Sequence, residues 1–402
     1  MTLTVAAAFE AVLQTARDLG TEIIPFEAAT GRILREPVLA DRPFPPYDRV
    51  MMDGIAINYD SYARGQHVFG VEDLQAAGMP QLQLSNTANC IEVMTGAILP
   101  ELTDTVIPYE QLALTESDDF RRFTVHTVVK QGQHIHRLGS DVNAGAALLD
   151  SGTLIGPAEA GILAAVGKTQ VLVSKLPRVA VIATGNELVP VHAIPEAHQV
   201  RISNVYSLLA SLQQLGISAR YIHLNDDESE MKEQLALLLS ETDVWISSGA
   251  VSAGKFDYLP AVLQQLGMQQ IFHKVQQRPG GPFLFGTFEQ GPVVFALPGN
   301  PVSGFMCFYR YVQPWIRAAM GAVPSPPCYA QLSEKVIFET ALEYYLPVKL
   351  VSRPDGTLTA TPQPYQGSGD LASLLKADAF LVLPLEEKVF ERGSCYPVWL
   401  FR

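Results

Sequence analysis

The chain has 402 residues, 48% hydrophobic and 17% charged, with 41 acidic against 28 basic side chains and a formal charge of −13. Such a composition can bury large cores and is not that of a disordered chain, and its length implies about two to four domains. The acidic balance disfavours nucleic acid, whose phosphates need clustered Lys and Arg, and an anionic guest must be held locally by main-chain amides, a few cations or a carboxylate-bound divalent metal.

No stretch approaches the roughly 18 apolar residues of a membrane helix, and the start Met1-Thr-Leu-Thr4 lacks the basic residues of a signal peptide. A soluble, cytoplasmic protein is expected. Cys90, Cys307, Cys328 and Cys395 form no Cys-x-x-Cys pair, so buried free thiols are expected rather than a disulfide framework or a zinc finger.

Thr4 is read as the cap of an amphipathic helix with Phe9, Val12, Leu13 and Ala16 on one face and Gly20 at its end. The passage from Pro37 to Pro46 cannot be helical and predicts an extended crossover at a domain border. Over residues 46–145, period-2 stretches such as Phe123-Thr-Val-His-Thr-Val-Val129 between glycine turns predict an inserted β-rich domain. Helix returns near Pro157, with Ala160, Ile162, Leu163 and Val166 before Gly167, so residues 1–45 and 146–176 are expected to form one discontinuous N-terminal domain.

Residues 177–323 alternate strand and helix and predict a three-layer α/β domain. One of its helices is expected to be capped by Ser203-Asn204, with Val205, Leu208, Leu209, Leu212 and Leu215 on one face. Pro324-Ser-Pro-Pro327 reads as a linker to a C-terminal β domain at 328–402, where Pro354-Asp-Gly356 marks a hairpin turn.

Three apolar runs of the α/β segment end in turns of small residues: Val179–Ala183 before Thr184-Gly185-Asn186-Glu187, Val244–Ile246 before Ser247–Gly254, and Val293–Leu297 before Pro298–Gly304. Runs of this kind suit strands covered on both faces, and open parallel sheets bind ligands beyond the carboxyl ends of their strands. Glycines there let main-chain amides approach an oxyanion. Phosphate or another tetrahedral oxyanion is the expected guest.

Glu187 and Asp257 stand next to the first two turns. They are either Mg²⁺ ligands, since that ion takes one or two carboxylates and fills its shell with water and phosphate, or helix-start carboxylates that favour the dipole. Pro298-Gly-Asn-Pro301 is a rigid turn that presents Gly299 and Asn300, and Arg278-Pro-Gly-Gly-Pro282 adds a permanent cation. Asp48 and Asp53 lie on a stiff loop, as turn formers or as site residues. His134-x-His136 reads as a surface strand rather than half a metal site. No Gly-x-Ser-x-Gly, Gly-Lys-Ser/Thr or His-Glu-x-x-His motif occurs.

These motifs, in this order, resemble the molybdopterin molybdenumtransferase family, MoeA and the gephyrin E domain. The likeness is carried by Ala29-Thr-Gly-Arg-Ile-Leu34, Pro45-Pro-Tyr-Asp48 with Met52-Asp-Gly54, Met94-Thr-Gly-Ala97, Gly139-x-Asp141, Thr184-Gly-x-Glu187, Ser248-Gly-x-Val-Ser-x-Gly254 and Leu297-Pro-Gly-Asn-Pro-Val-Ser303. The resemblance implies a four-part architecture whose α/β domain binds molybdopterin, assembled as a homodimer with the site between subunits. It further implies ligation of molybdate to the dithiolene of adenylylated molybdopterin with Mg²⁺-dependent release of AMP.

By matching positions, Asp53, Thr95, Asp141, Glu187, Asp257 and Ser368 are the polar residues expected to face molybdate, metal or pterin phosphate, with Glu187 and Asp257 as the metal carboxylates. Thr184, Gly185, Asn204, Ser248, Gly249, Ser252, Gly254, Lys255, Arg278, Pro298, Gly299, Asn300, Pro301 and Ser303 complete the expected substrate-binding set. Other proteins of molybdenum cofactor biosynthesis are implied as partners.

The chain departs from the family pattern at Arg49-Val-Met51, Ser140, Asn186, Lys255 and Gly281. Lys255 stands where an acid is usual and Gly281 where a lysine is usual, so Lys255 is expected to supply the displaced cation. Unchanged affinity for the pterin nucleotide in Lys255→Glu would exclude that. A weakened or non-catalytic molybdopterin-binding paralogue is the alternative. Another phosphate-group enzyme on a related α/β domain would leave the N-terminal motifs without a role.

Overall fold

The computed structural model describes residues 2–117, 120–249, 251 and 257–402. Ser252, Gly254 and Lys255 lie outside these described residues. The chain forms two compact units: Met1–Arg35 with Ser151–Gly156 and Gln170–Arg402, and Glu36–Asp150 with Pro157–Thr169.

The second of these units is built on a six-stranded sheet in the order Thr105–Pro108, Gly54–Ile57, Asn89–Val93, Val68–Gln75, Phe120–Val125, Leu112–Ser117. Gly54–Ile57 is buried along its whole length and runs antiparallel to both neighbours. Its side chains alternate as period 2 requires: Ile55 and Ile57 enter a core with Phe69, Cys90, Ile107 and Phe123, while Ala56 enters another with Val50, Ile91, Val93 and Val106. Two short ladders pin the surrounding loops. Arg49–Val50 pairs with Ile135–His136, and Val38–Leu39 with Ala147–Leu149.

In the other unit the opening helix is Val5–Gln14, and the Thr4 hydroxyl accepts the Ala7 N–H at 3.3 Å. It stops short of Gly20. The Thr15 hydroxyl donates to the Val12 carbonyl at 2.7 Å and accepts from the Trp315 indole at 2.9 Å, which turns the chain out of the helix. The face it buries is Val5, Ala8 and Val12, and the expected Phe9 and Leu13 are half-buried.

The α/β part carries a six-stranded sheet in the order Ala219–Leu224, Val179–Thr184, Val244–Ser248, Val293–Leu297, Leu284–Thr287, Gln269–His273. The first four strands are parallel, Leu284–Thr287 runs antiparallel to them, and Gln269–His273 is antiparallel to Leu284–Thr287. Helix Asn204–Gln214 covers one face with Leu208 and Leu212. Glu228–Leu238 and Leu259–Gln265 cover the other with Met231, Leu235, Val262 and Leu263. Val179–Thr184, Val244–Ser248 and Val293–Leu297 are buried along their whole length, which is why they read as unbroken apolar runs.

The C-terminal strands Glu343–Ser352, Leu358–Pro362, Cys328–Leu332, Cys395–Leu400 and Ala379–Leu383 form a sheet that closes on itself when the first pairs with the last. The predicted hairpin turn joins Glu343–Ser352 to Leu358–Pro362, with Gly356 at φ +86°. Gln277–Arg278 adds a short parallel strand to this sheet and so brings Arg278 beside it. Cys90 and Cys307 are buried free thiols as expected, but Cys395 is exposed. Among the described residues no helix is long and apolar enough to cross a membrane.

Candidate functional site

Val179–Thr184, Val244–Ser248 and Val293–Leu297 are adjacent parallel strands, so their three carboxyl ends stand side by side. Their glycines are there for backbone approach. Gly249, at φ +103°, faces Thr184 so closely that a methyl would lie 3.0 Å from both its carbonyl and its hydroxyl oxygen. A methyl on Gly299 would lie 3.4 Å from Gly249 Cα, and the Gly249 N–H donates to the Leu297 carbonyl at 3.1 Å. At Gly185, φ +135°, the Glu187 carboxylate folds back over the glycine, within 2.7 Å of where a methyl would put its carbon.

Asn204 ties these turns together. Its amide donates to Ser248 Oγ at 2.9 Å and to the Gly299 carbonyl at 2.7 Å. The expected Ser203-Asn204 cap is thereby corrected: Ser203 makes no side-chain cap bond, and the Asn204 amide is spent on neighbouring strand ends instead. Ser303 is buried in the helix Pro301–Cys307, which Pro301 opens directly after Asn300. Thr184 Oγ1 and Ser247 Oγ are buried at the ends of two of these strands, and among the described residues neither has a hydrogen-bond partner. Unpaired buried hydroxyls are costly, and they suit a polar guest.

Asp226 was not singled out from the sequence, yet it belongs here. Its N–H donates to Asn186 Oδ1 at 3.1 Å while its carboxylate accepts the Asn186 N–H at 3.2 Å. The available signal was its position just past the strand Ala219–Leu224, a fourth carboxyl end on the same edge. His223 donates from Nε2 to the Gly185 carbonyl at 3.0 Å.

The third turn continues into an open cleft of about 600 Å³ lined by Arg278, Tyr365, Gln366, Ser368 and Asp370. Asn300 donates to Ser368 Oγ at 2.8 Å, and the Ser368 carbonyl accepts the Val302 N–H at 3.0 Å. The Arg278 guanidinium lies 5.8 Å from the Phe338 ring centre. Burial pushes the Tyr365 hydroxyl up to about 12, so it stays a donor at neutral pH. Hydroxyls, amides, main-chain N–H groups and one guanidinium are the donor set an oxyanion requires.

Asp53, Thr95 and Asp141 lie in the other unit. Asp53 Oδ1 accepts both the Thr95 N–H at 2.6 Å and its hydroxyl at 2.7 Å. These two bonds hold the Asp53 carboxyl below its usual range. A depressed carboxyl adds stability above the ordinary carboxylate range and loses it as pH falls through the lowered value. Thr95→Val removes the hydroxyl donor, so the Asp53 titration midpoint should move upward in ¹³C NMR. An unmoved midpoint would contradict the clasp. Asp141 is joined to His136, and Asp48 accepts from Arg137 at 2.6 Å and from the Leu138 N–H at 2.8 Å as a loop tie.

Among the described residues no group of three or more His, Cys, Asp or Glu side chains is placed to hold a metal. A phosphate-bound Mg²⁺ needs only one or two protein carboxylates, and Glu187 at the first turn and Asp257 beyond the second fit that demand by residue type.

Residues 3–167 match the family model described as "MoeA N-terminal region (domain I and II)", 180–318 the "Probable molybdopterin binding domain" and 329–401 the "MoeA C-terminal region (domain IV)". A curated protein named molybdopterin molybdenumtransferase from Synechocystis sp. is 38% identical over 399 residues, covering 99% of both chains. One of the same name from Staphylococcus epidermidis is 32% identical over 387 residues, covering 94% of this chain and 90% of the relative. The crystal structure of the molybdopterin biosynthesis MoeA protein of Pyrococcus horikoshii superposes with a TM-score of 0.79 at 27% identity, covering 100% of both chains.

Proposed function

The chain belongs to the molybdopterin molybdenumtransferase family, and from that premise we propose that it inserts molybdenum from molybdate into adenylylated molybdopterin with release of AMP, as a transferase of molybdenum cofactor biosynthesis. The observation that carries this is the 38% identity that runs through 99% of both chains. The names of the relatives give no support to a non-catalytic paralogue.

In this reading the glycine turns at Gly185, Gly249 and Gly299, with Thr184, Asn204, Ser248, Asn300 and Ser303, seat the pterin and its phosphates. Pro298 and Pro301 keep the third turn rigid, and Arg278 and Ser368 grip an oxyanion in the adjoining cleft. Ser252, Gly254 and Lys255, which lie outside the described residues, are assigned to the same substrate-binding set from the sequence. Asp53, Thr95 and Asp141 face the reacting groups. Glu187 and Asp257 hold Mg²⁺, which supplies charge neutralisation at the phosphates when bound.

The direct test is molybdate-dependent AMP release from adenylylated molybdopterin by the purified chain. Absence of AMP and of metallated pterin would overturn the reading. We further propose the four-part division expected from the sequence, other cofactor-biosynthesis proteins as partners, and a homodimer whose site draws on both subunits. Mixing Asp53→Ala with Asp257→Ala should then restore part of the activity that each variant lacks, and no restoration would count against a shared site.

A further inference from the structure

His136 and Arg49 have no part in the reading above. The ladder between Ile135–His136 and Arg49–Val50 sets His136 directly opposite Arg49. An Arg49 nitrogen lies 2.9 Å from His136 Nδ1, and His136 Nε2 lies 2.7 Å from Asp141 Oδ1. A guanidinium has only donors, so Nδ1 must be the acceptor. The imidazole proton therefore sits on Nε2 and donates to Asp141.

Asp141 is placed from its backbone as well, through its N–H to the Phe44 carbonyl at 3.0 Å. Ser140 Oγ lies 3.3 Å from the same carboxylate oxygen that His136 holds. Among the described residues no donor reaches Asp141 Oδ2. The bond from His136, with smaller help from Ser140 and Arg49, keeps the exposed carboxyl below its usual range. Arg137 and Asp48, the other charged groups on these loops, are paired with each other at 2.6 Å.

We propose that His136 is the positioning residue for Asp141, with Arg49 selecting the imidazole tautomer that can hold one carboxylate oxygen and leave the other to the substrate. This rests on the reading of Asp141 as a site residue.

Long-range ¹H–¹⁵N NMR on the full-length chain should show His136 protonated at Nε2, and Arg49→Met should replace that by a tautomer mixture. In the molybdenum insertion assay His136→Phe should lower kcat by on the order of 10² with KM for adenylylated molybdopterin unchanged, because a displaced reacting group costs about that much. The acidic limb of its kcat profile should move to higher pH. His136→Gln, which keeps an amide donor, should recover part of the rate. A ring protonated at Nδ1 in the unaltered chain, or a His136→Phe enzyme with unmoved kcat and acidic limb, would overturn the assignment. Should His136→Phe fail to fold, the tautomer in Arg49→Met decides. A chain that releases no AMP would sink the functional reading, while the tautomer and the Asp141 titration would still decide the relay.

Discussion

Gly54→Ala is expected to destabilise the unit that contains it by about 3 kcal/mol, the upper range for overpacking a close-packed site. Gly54 lies in register between Val93 and Pro108 on the two flanking strands. A Cβ there would strike the Ile107 carbonyl oxygen, with the carbonyl carbon at 2.8 Å and Pro108 Cα at 2.9 Å. Every obstructing atom is backbone in a paired strand, so no flexible side chain can give way. Against a total stability of about 5–15 kcal/mol for a domain, that loss is large.

The damage should also reach the chemistry. Asp53 precedes Gly54 directly, and its carbonyl accepts the Tyr109 N–H at 3.1 Å while its carboxylate is clasped by Thr95. The Met-Asp-Gly run thus joins the proposed site residue Asp53 to the glycine that lets its strand pack. Urea unfolding of Gly54→Ala measures the effect, and an unshifted midpoint would show that the sheet has room that the geometry denies.

Local chemistry explains which features were legible before the fold was known. Buried β-branched runs bounded by Gly and Ser announced the three parallel strands, because a strand covered on both faces cannot alternate and its terminal turn needs glycine. Thr4 announced the first helix for the same reason: capping involves neighbours in sequence. Where the deciding partner is distant, no local rule applies. The end of that helix depends on Trp315, 300 residues from Thr15. Asn204 read as a cap, but its amide bridges to Gly299, 95 residues on. His136 read as a strand residue at the surface, and it is one, but its pairing with Arg49, 87 residues earlier, had no local sign.

Asp257→Ala is expected to abolish metal-dependent turnover with little loss of stability, and the two magnitudes separate cleanly. Asp257 is half-buried just before the helix Leu259–Gln265. A carboxylate beside a helix start contributes about 0.3–1 kcal/mol through the dipole, a loss small beside what a metal ligand supplies to the rate. A carboxylate that holds a divalent ion against substrate phosphate supports several kcal/mol of charge stabilisation, and each 1.4 kcal/mol or so is about tenfold in rate. Loss of rate by on the order of 10³ or more should therefore accompany an almost unchanged melting temperature. Asp257→Asn keeps the volume and an oxygen donor but drops the charge, so it should lie near Ala in rate if metal binding is the role. Full turnover in Asp257→Ala would remove Asp257 from the metal site, whereas a fall in rate matched by a fall in melting temperature would make it a structural residue of the second turn.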